Sequence, residues 1–270
     1  MNISFKEAFT YFFKDKTWKY KLPIFTIFLY ALYLFYFLGK TSFLFKIGIL
    51  ILLIFICGYL ALLAHNLISK KDEILPDFSF QKILLSGFKY YSVTFSYIFL
   101  IFAISIIWFI LYHYFSKDLG YILAHMSLIS SFYFKATIAV AGIIRSKILL
   151  WTILSVIIFV SLMFFLIAIT AFSQRLNFKD SFNLKRLINI FKYAHKEYLF
   201  IFSIMGIGII LVFMVPHTQL FSDNQLGILV LSIIISIIQV PIILVWQHLL
   251  CQAYNVGVNK MQELNDVYEY

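Results

Sequence analysis

The sequence predicts an all-α integral membrane protein, with six transmembrane helices as three hairpins, each preceded by an amphipathic interfacial helix. Three observations carry this. The chain is 63% hydrophobic and 13% charged, whereas a soluble domain is nearer half apolar and a quarter charged. Its apolar residues come in runs of about twenty, the length that crosses a ~30 Å hydrocarbon layer as a helix. Short basic segments, with apolar residues three and four apart, precede three of the runs. Backbone groups left unpaired in lipid are too costly for open structures, and the runs lack the alternation of barrel strands.

The spans fall at Tyr20–Leu38, Phe45–His65, Tyr91–Phe115, Ile148–Phe172, Tyr198–Val215 and Leu226–Leu250. A further apolar stretch, Leu119–Ile144, contains His125 and Lys135. Charge decides its treatment, because Lys and Arg accumulate on the cytoplasmic side. With six spans and both termini inside, 16 of the 22 basic residues lie inside. A seventh span would move the six basic residues of 173–197 outside and nearly erase that asymmetry. Leu119–Ile144 is therefore read as a re-entrant or surface-lying segment on the outer side. The first apolar run lacks a small-residue cleavage site and is expected to remain as an anchor.

The interfacial helices are read at Ser4–Lys16, Ser79–Tyr90 and Phe178–Lys196. Ser4 and Glu7 stand at capping-box spacing. Phe5, Ala8, Phe9, Phe12 and Phe13 then form one face, as do Phe80, Ile83, Leu84, Gly87 and Phe88, and again Leu184, Leu187, Ile188 and Phe191. Such helices lie among headgroups, where lysines meet anionic lipid. Phe5-Lys6-Glu7-Ala8-Phe9 also matches Phe178-Lys179-Asp180-Ser181-Phe182. Three repeat units follow, 1–66, 67–173 and 174–254, with 255–270 as a short cytoplasmic tail.

Several motifs carry a family resemblance: Gly58-Tyr59-Leu60, Leu75-Pro76-Asp77-Phe78, Gly87-Phe88-Lys89, the segment from Asp180-Ser181-Phe182 to Glu197-Tyr198-Leu199, and Gln252-Ala253-Tyr254. In these the chain resembles the membrane family called domain of unknown function 4013. The resemblance implies a polytopic membrane fold and no established activity.

Candidate functional residues are few. Ionisable groups inside a membrane are functional candidates because burying them is costly. The spans hold no central Asp, Glu or Arg, which argues against a carboxylate proton relay. Lys46 can snorkel from the second span. Lys135 either faces outer water at a kink or lines an anion pocket. Gln239, Pro241, Gln247 and His248 cluster in the last span, with Gln252 one turn on. Pro241 removes a helix hydrogen bond and can kink the helix. The polar residues serve as interhelical glue or line a substrate path, with Gln247 and His248 at the interface beside Trp246. Pro76 holds an extended entry to a helix that Asp77 or Ser79 can cap. Alternatively, Asp77 contacts Lys82, Lys185 or Arg186 and closes a basic collar. No histidine pair has metal-ligand spacing and no G-x-S-x-G elbow exists. Cys57 and Cys251 read as packing residues.

The expectation is a non-enzymatic scaffold, lipid-organising or membrane-complex accessory protein of the cytoplasmic membrane, without cofactor or metal. The alternative is a transporter or channel subunit, using a kinked last helix and 119–144 as a gate. Expected partners are the bilayer, its anionic headgroups, and a membrane protein or a second copy. The net charge of +10 follows membrane sidedness and needs no nucleic acid.

Overall fold

A computed structural model of the protein describes residues 3–38, 43–71, 73–126, 132–217 and 225–268. Within these ranges it describes side chains except at 37–38, 109, 111–150, 205–226, 228, 231 and 264–268. The described residues form seven α-helices and no strand. In chain order they are α1 (Phe5–Thr10), α2 (Trp18–Leu38), α3 (Phe43–Ile68), α4 (Phe80–Met126), α5 (Phe132–Arg175), α6 (Leu184–His217) and α7 (Gln225–Tyr268). Short 3-10 turns at Tyr11–Lys14 and Phe178–Phe182 precede α2 and α6.

Among the described residues, four stretches are long and apolar enough to cross a membrane: Phe43–Ile68, Phe80–Trp108, Trp151–Arg175 and Ser232–Glu263. The chain divides into two compact units. One comprises Met1–Thr94 and Phe164–Tyr270, the other Phe95–Met163. The second unit contains the end of α4 and the start of α5, and α4 is exposed at Phe95, Phe99, Phe102 and Ile106.

Element boundaries differ from the sequence reading in four places. Ser79–Tyr90 is not a separate helix, since α4 starts at Phe80 and continues without interruption. Phe178–Lys196 is a 3-10 turn followed by the start of α6, whose backbone leaves helical values at Ala194 (φ −121°, ψ 16°). The stretch 119–144 extends α4 as far as Met126 and opens α5 from Phe132. Its residues 127–131 lie outside the described residues, as do the side chains of His125 and Lys135. Residues 255–268, expected as a tail, continue α7, and α7 passes through Pro241 as one helix.

Two helix ends reverse the chain in the left-handed conformation without glycine, at Lys70 (φ 51°) after α3 and Leu176 (φ 52°) after α5. At the first, Lys70 N–H donates to Leu67 O and Lys71 N–H to Asn66 O at 3.0 Å. This is the paired bonding of a Schellman cap, which satisfies carbonyls the helix leaves open.

The core of the first unit joins α2, α3, α4 and α7 with the N-terminal turn. Tyr11, Phe25, Tyr59, Leu63, Leu75, Ile83 and Leu244 are all buried there. Its aromatic rings are stacked: Phe25 on Tyr59 at 4.5 Å and Phe28 on Phe55 at 4.0 Å. Where α3 meets α4 there is no room for a side chain. A β-carbon on Gly58 would lie 1.9 Å from the Ile83 carbonyl oxygen, and one on Gly87 would lie 1.9 Å from that of Ile54. Small residues of this kind let helix backbones touch.

Candidate functional site

Many polar side chains of the first unit gather at the helix ends where the basic segments lie. They form three clusters, each tying segments far apart in sequence.

The first cluster surrounds Lys21, in the opening turn of α2. Lys21 is 6% exposed and Asp15 1%. The Lys21 ammonium donates to the Leu75 carbonyl at 2.7 Å and pairs with Asp77 Oδ1 at 2.9 Å. Asp15 Oδ2 lies 3.9 Å and Glu73 Oε2 4.0 Å from it. Asp15 Oδ1 accepts from the Thr17 amide (2.8 Å) and hydroxyl (2.6 Å), and its Oδ2 accepts from the Leu75 amide (2.8 Å). Phe78 stacks on Tyr59 at 5.3 Å. Leu75-Pro76-Asp77-Phe78 thus clips the loop before α4 onto the start of α2, by the Lys21 contacts with Leu75 and Asp77, and onto α3, by the Phe78–Tyr59 stack. Lys82, Lys185 and Arg186 are the partners that the alternative reading names for Asp77; its ion-pair partner is Lys21. That lysine sits in the first turn of an apolar helix, and the separation of 56 positions gave no local pattern to read.

Burial works to raise the Asp15 pKa, but the Thr17 hydroxyl and amide, the Leu75 amide and Lys21 together hold it below the usual carboxylate value. The unfolded chain binds a proton near pH 4. Asp15 therefore stabilises the fold fully above that pH, and the contribution disappears as pH falls through the depressed folded value. The melting temperature of the detergent-solubilised protein should decline as pH drops below about 4, less steeply in Asp15→Asn. An unchanged slope in the variant would assign the acid sensitivity to other groups.

The second cluster holds the N-terminus on α7. Ser4 Oγ caps α1 by accepting from Glu7 N–H at 3.2 Å. The reciprocal half of the expected capping box is made by another residue: Ser4 N–H donates to Gln252 Oε1 at 2.7 Å. Gln252 also donates to Ser4 O (3.3 Å) and to His248 Nδ1 (2.9 Å), which places the imidazole proton on Nε2. The His248 ring stacks on Tyr11 at 4.3 Å and 19°. The Tyr11 hydroxyl donates to the Leu244 carbonyl at 3.1 Å, and burial drives its pKa well above the ordinary value, so it stays a neutral donor.

The third cluster joins the ends of α3, α5 and α6 to α7. Arg186 donates to Gln174 Oε1 and to the Tyr254 hydroxyl (2.8 Å), and faces Asp180 at 3.6 Å. Tyr254 itself donates to Gln174 Oε1 at 2.9 Å. His65 Nδ1–H donates to the Ser173 and Gln174 carbonyls, at 3.2 and 3.0 Å. Sequence reading missed Lys21, Arg186–Gln174 and Tyr11 as organising groups. Lys21 and Arg186 each follow an Asp by six positions, the only local signal that could have marked them.

Of the last-span candidates, Gln239 is 5% exposed and accepts from the Tyr33 hydroxyl, linking α7 to α2. Gln247 is buried, and its Nε2 has no hydrogen-bond partner among the described residues. Cys251 is a buried free thiol with its sulfur 4.0 Å from the Ala64 carbonyl, and Cys57 is also free.

A family model described as Protein of unknown function (DUF4013) matches residues 41–222. The chain belongs to this family. No curated protein and no solved structure matches it. The matched DUF4013 region contains the Leu75–Phe78 clip, the Gly58–Gly87 crossing, His65, Gln174 and Arg186. Lys21, Asp15, Tyr11 and the α7 residues that complete the clusters lie outside it.

Proposed function

We propose that this protein is a non-enzymatic, multi-pass scaffold or accessory protein of the cytoplasmic membrane. Its six spans are α2 to α7 in three hairpins, with both termini and the polar clusters on the cytoplasmic side. One observation carries the reading. Lys21 meets Asp77, His65 meets Gln174, Arg186 meets Tyr254, and Ser4 meets Gln252. The chain thus returns to the same end of its first unit after each helix pair. That return supports an even number of crossings in every pair and a stretch 119–144 that does not cross alone. The excess of Lys and Arg in the same segments supports the cytoplasmic assignment.

The scaffold role is supported by what the candidate polar groups do. Gln239, Gln252 and Asp77 bond to other segments of the same chain and His248 stacks on Tyr11, as interhelical glue does. A transporter would direct such groups at a water-filled path. The test is thiol labelling in intact cells of a background lacking Cys57 and Cys251. With six spans, Lys185→Cys is protected from an impermeant outside reagent. With a scaffold core, Gln239→Cys is unreactive from both sides. Outside labelling of Lys185→Cys would overturn the topology. Labelling of Gln239→Cys from either side would replace the scaffold with the channel or transporter.

A further inference from the structure

We propose that the first unit binds one anionic glycerophospholipid in a groove between α4 and the corner after α5. The inference rests on the membrane reading above and adds a defined ligand site to it. The groove, of about 550 Å³, is lined by Phe88, Lys89, Ser92, Leu176, Asn177 and Phe178. That volume suits a small amphiphile's head and upper chain.

Three features select the occupant. The first is depth. Leu176 to Phe178 follow directly on Arg175, the end of a candidate span, and Lys89 lies within another, Phe80–Trp108. The groove therefore opens where headgroups meet hydrocarbon. The second is charge. Lys89 lines the groove, Arg175 and Lys179 flank its corner in sequence, and no carboxylate is among the lining residues. Nearby Asp180 is paired with Arg186. Asn177 Oδ1 accepts from the Lys179 amide at 3.1 Å, which leaves its NH₂ as the end able to serve an anion. The third is the apolar wall. Phe88 is 63% exposed and Phe178 41%. On the other side of Phe88 a second groove of about 540 Å³ runs along Ile54, Leu84 and Leu85 and is almost wholly apolar. A phosphate on Lys89 with acyl chains laid past Phe88 satisfies both surfaces at once. A free phosphate would leave the aromatic walls exposed, and a protein helix would place backbone against a cation.

The full-length protein in detergent is titrated with phosphatidylglycerol or phosphatidylcholine of identical chains, and bound lipid is counted by native mass spectrometry. Phosphatidylglycerol should be retained preferentially. Lys89→Gln should cut its occupancy about fivefold, in line with the loss of one lysine near an anionic surface, and Lys89→Glu, which reverses the charge, should cut it more. Lys14→Glu, at an exposed lysine of the N-terminal turn, should leave it unchanged. Should Lys89→Glu fail to fold, Lys89→Gln and Asn177→Asp carry the same comparison. Equal retention of the two lipids, equal losses at Lys14 and Lys89, or full displacement by inorganic phosphate would overturn the site. None of these outcomes bears on the labelling of Lys185→Cys or Gln239→Cys, so the two readings fail separately.

Discussion

Gly58→Ala is expected to destabilise the protein by roughly 3 kcal/mol or more, above the usual range for overpacking. The added methyl would stand 1.9 Å from the Ile83 carbonyl oxygen and 2.8 Å from the Gly87 amide nitrogen. Both obstacles are backbone, and neither can turn aside as a side chain would. Relief requires α3 and α4 to separate, which pulls Ile83 away from the aromatic core. For a chain of this size the loss corresponds to a fall in melting temperature of roughly 6–12 °C. Gly48→Ala is the control. Its methyl meets only the Phe35 ring, at 2.7 Å, and a ring can shift, so the expected cost is about 1 kcal/mol. Thermal scanning of the detergent-solubilised variants decides it. Equal melting temperatures for the two would show that the helices slide apart freely and that the glycine contact is dispensable.

Lys21→Met is expected to cost about 3 kcal/mol, because it leaves the buried Asp15 carboxylate without its cation. The methionine keeps the bulk of the stem, so lost packing contributes little. Asp77→Asn removes the closest ion-pair partner of the same lysine, yet Asp77 is 74% exposed in its side chain. Water screens that pair, and the expected loss is under about 1 kcal/mol. The ordering is thus opposite to the order of distances, since Asp15 stands at 3.9 Å and Asp77 at 2.9 Å. Burial, not separation, sets the cost. Combining Lys21→Met with Asp15→Asn should destabilise by less than the two changes summed, because the stranded charge is gone. Additive losses, or an Asp77→Asn as damaging as Lys21→Met, would remove Lys21 from its place as the organising group of the clip.

Much of the architecture was legible because lipid imposes a coarse code. Long apolar runs, the Ser4 cap and the apolar, proline-bounded Leu75–Phe78 loop each reflect short-range physics that a linear sequence displays. The spacing in Ser4–Lys16 and Phe178–Lys196 predicts one apolar face for each segment, but each face is divided in the structure. Ala8, Tyr11 and Phe12 face the core while Phe9 and Phe13 are exposed, and Leu187 and Ile190 are buried while Leu184 and Ile188 are not. A bilayer offers apolar surroundings on the outside as well, so periodicity cannot tell a lipid-facing Phe from a packed one.

The sequence by itself determined the helical class, the membrane setting and the family, because those depend on composition, run length and short motifs. The partners of Lys21, His248 and Arg186 were decided only by the tertiary structure. The contacts that tie the segments together, such as Lys21 with Leu75, Arg186 with Tyr254 and Ser4 with Gln252, join positions far apart in sequence, and they form because crossings such as Gly58 on Gly87 fix how the helix ends meet. A pairing of that kind depends on where two ends arrive in space, and side-chain type alone does not encode that position.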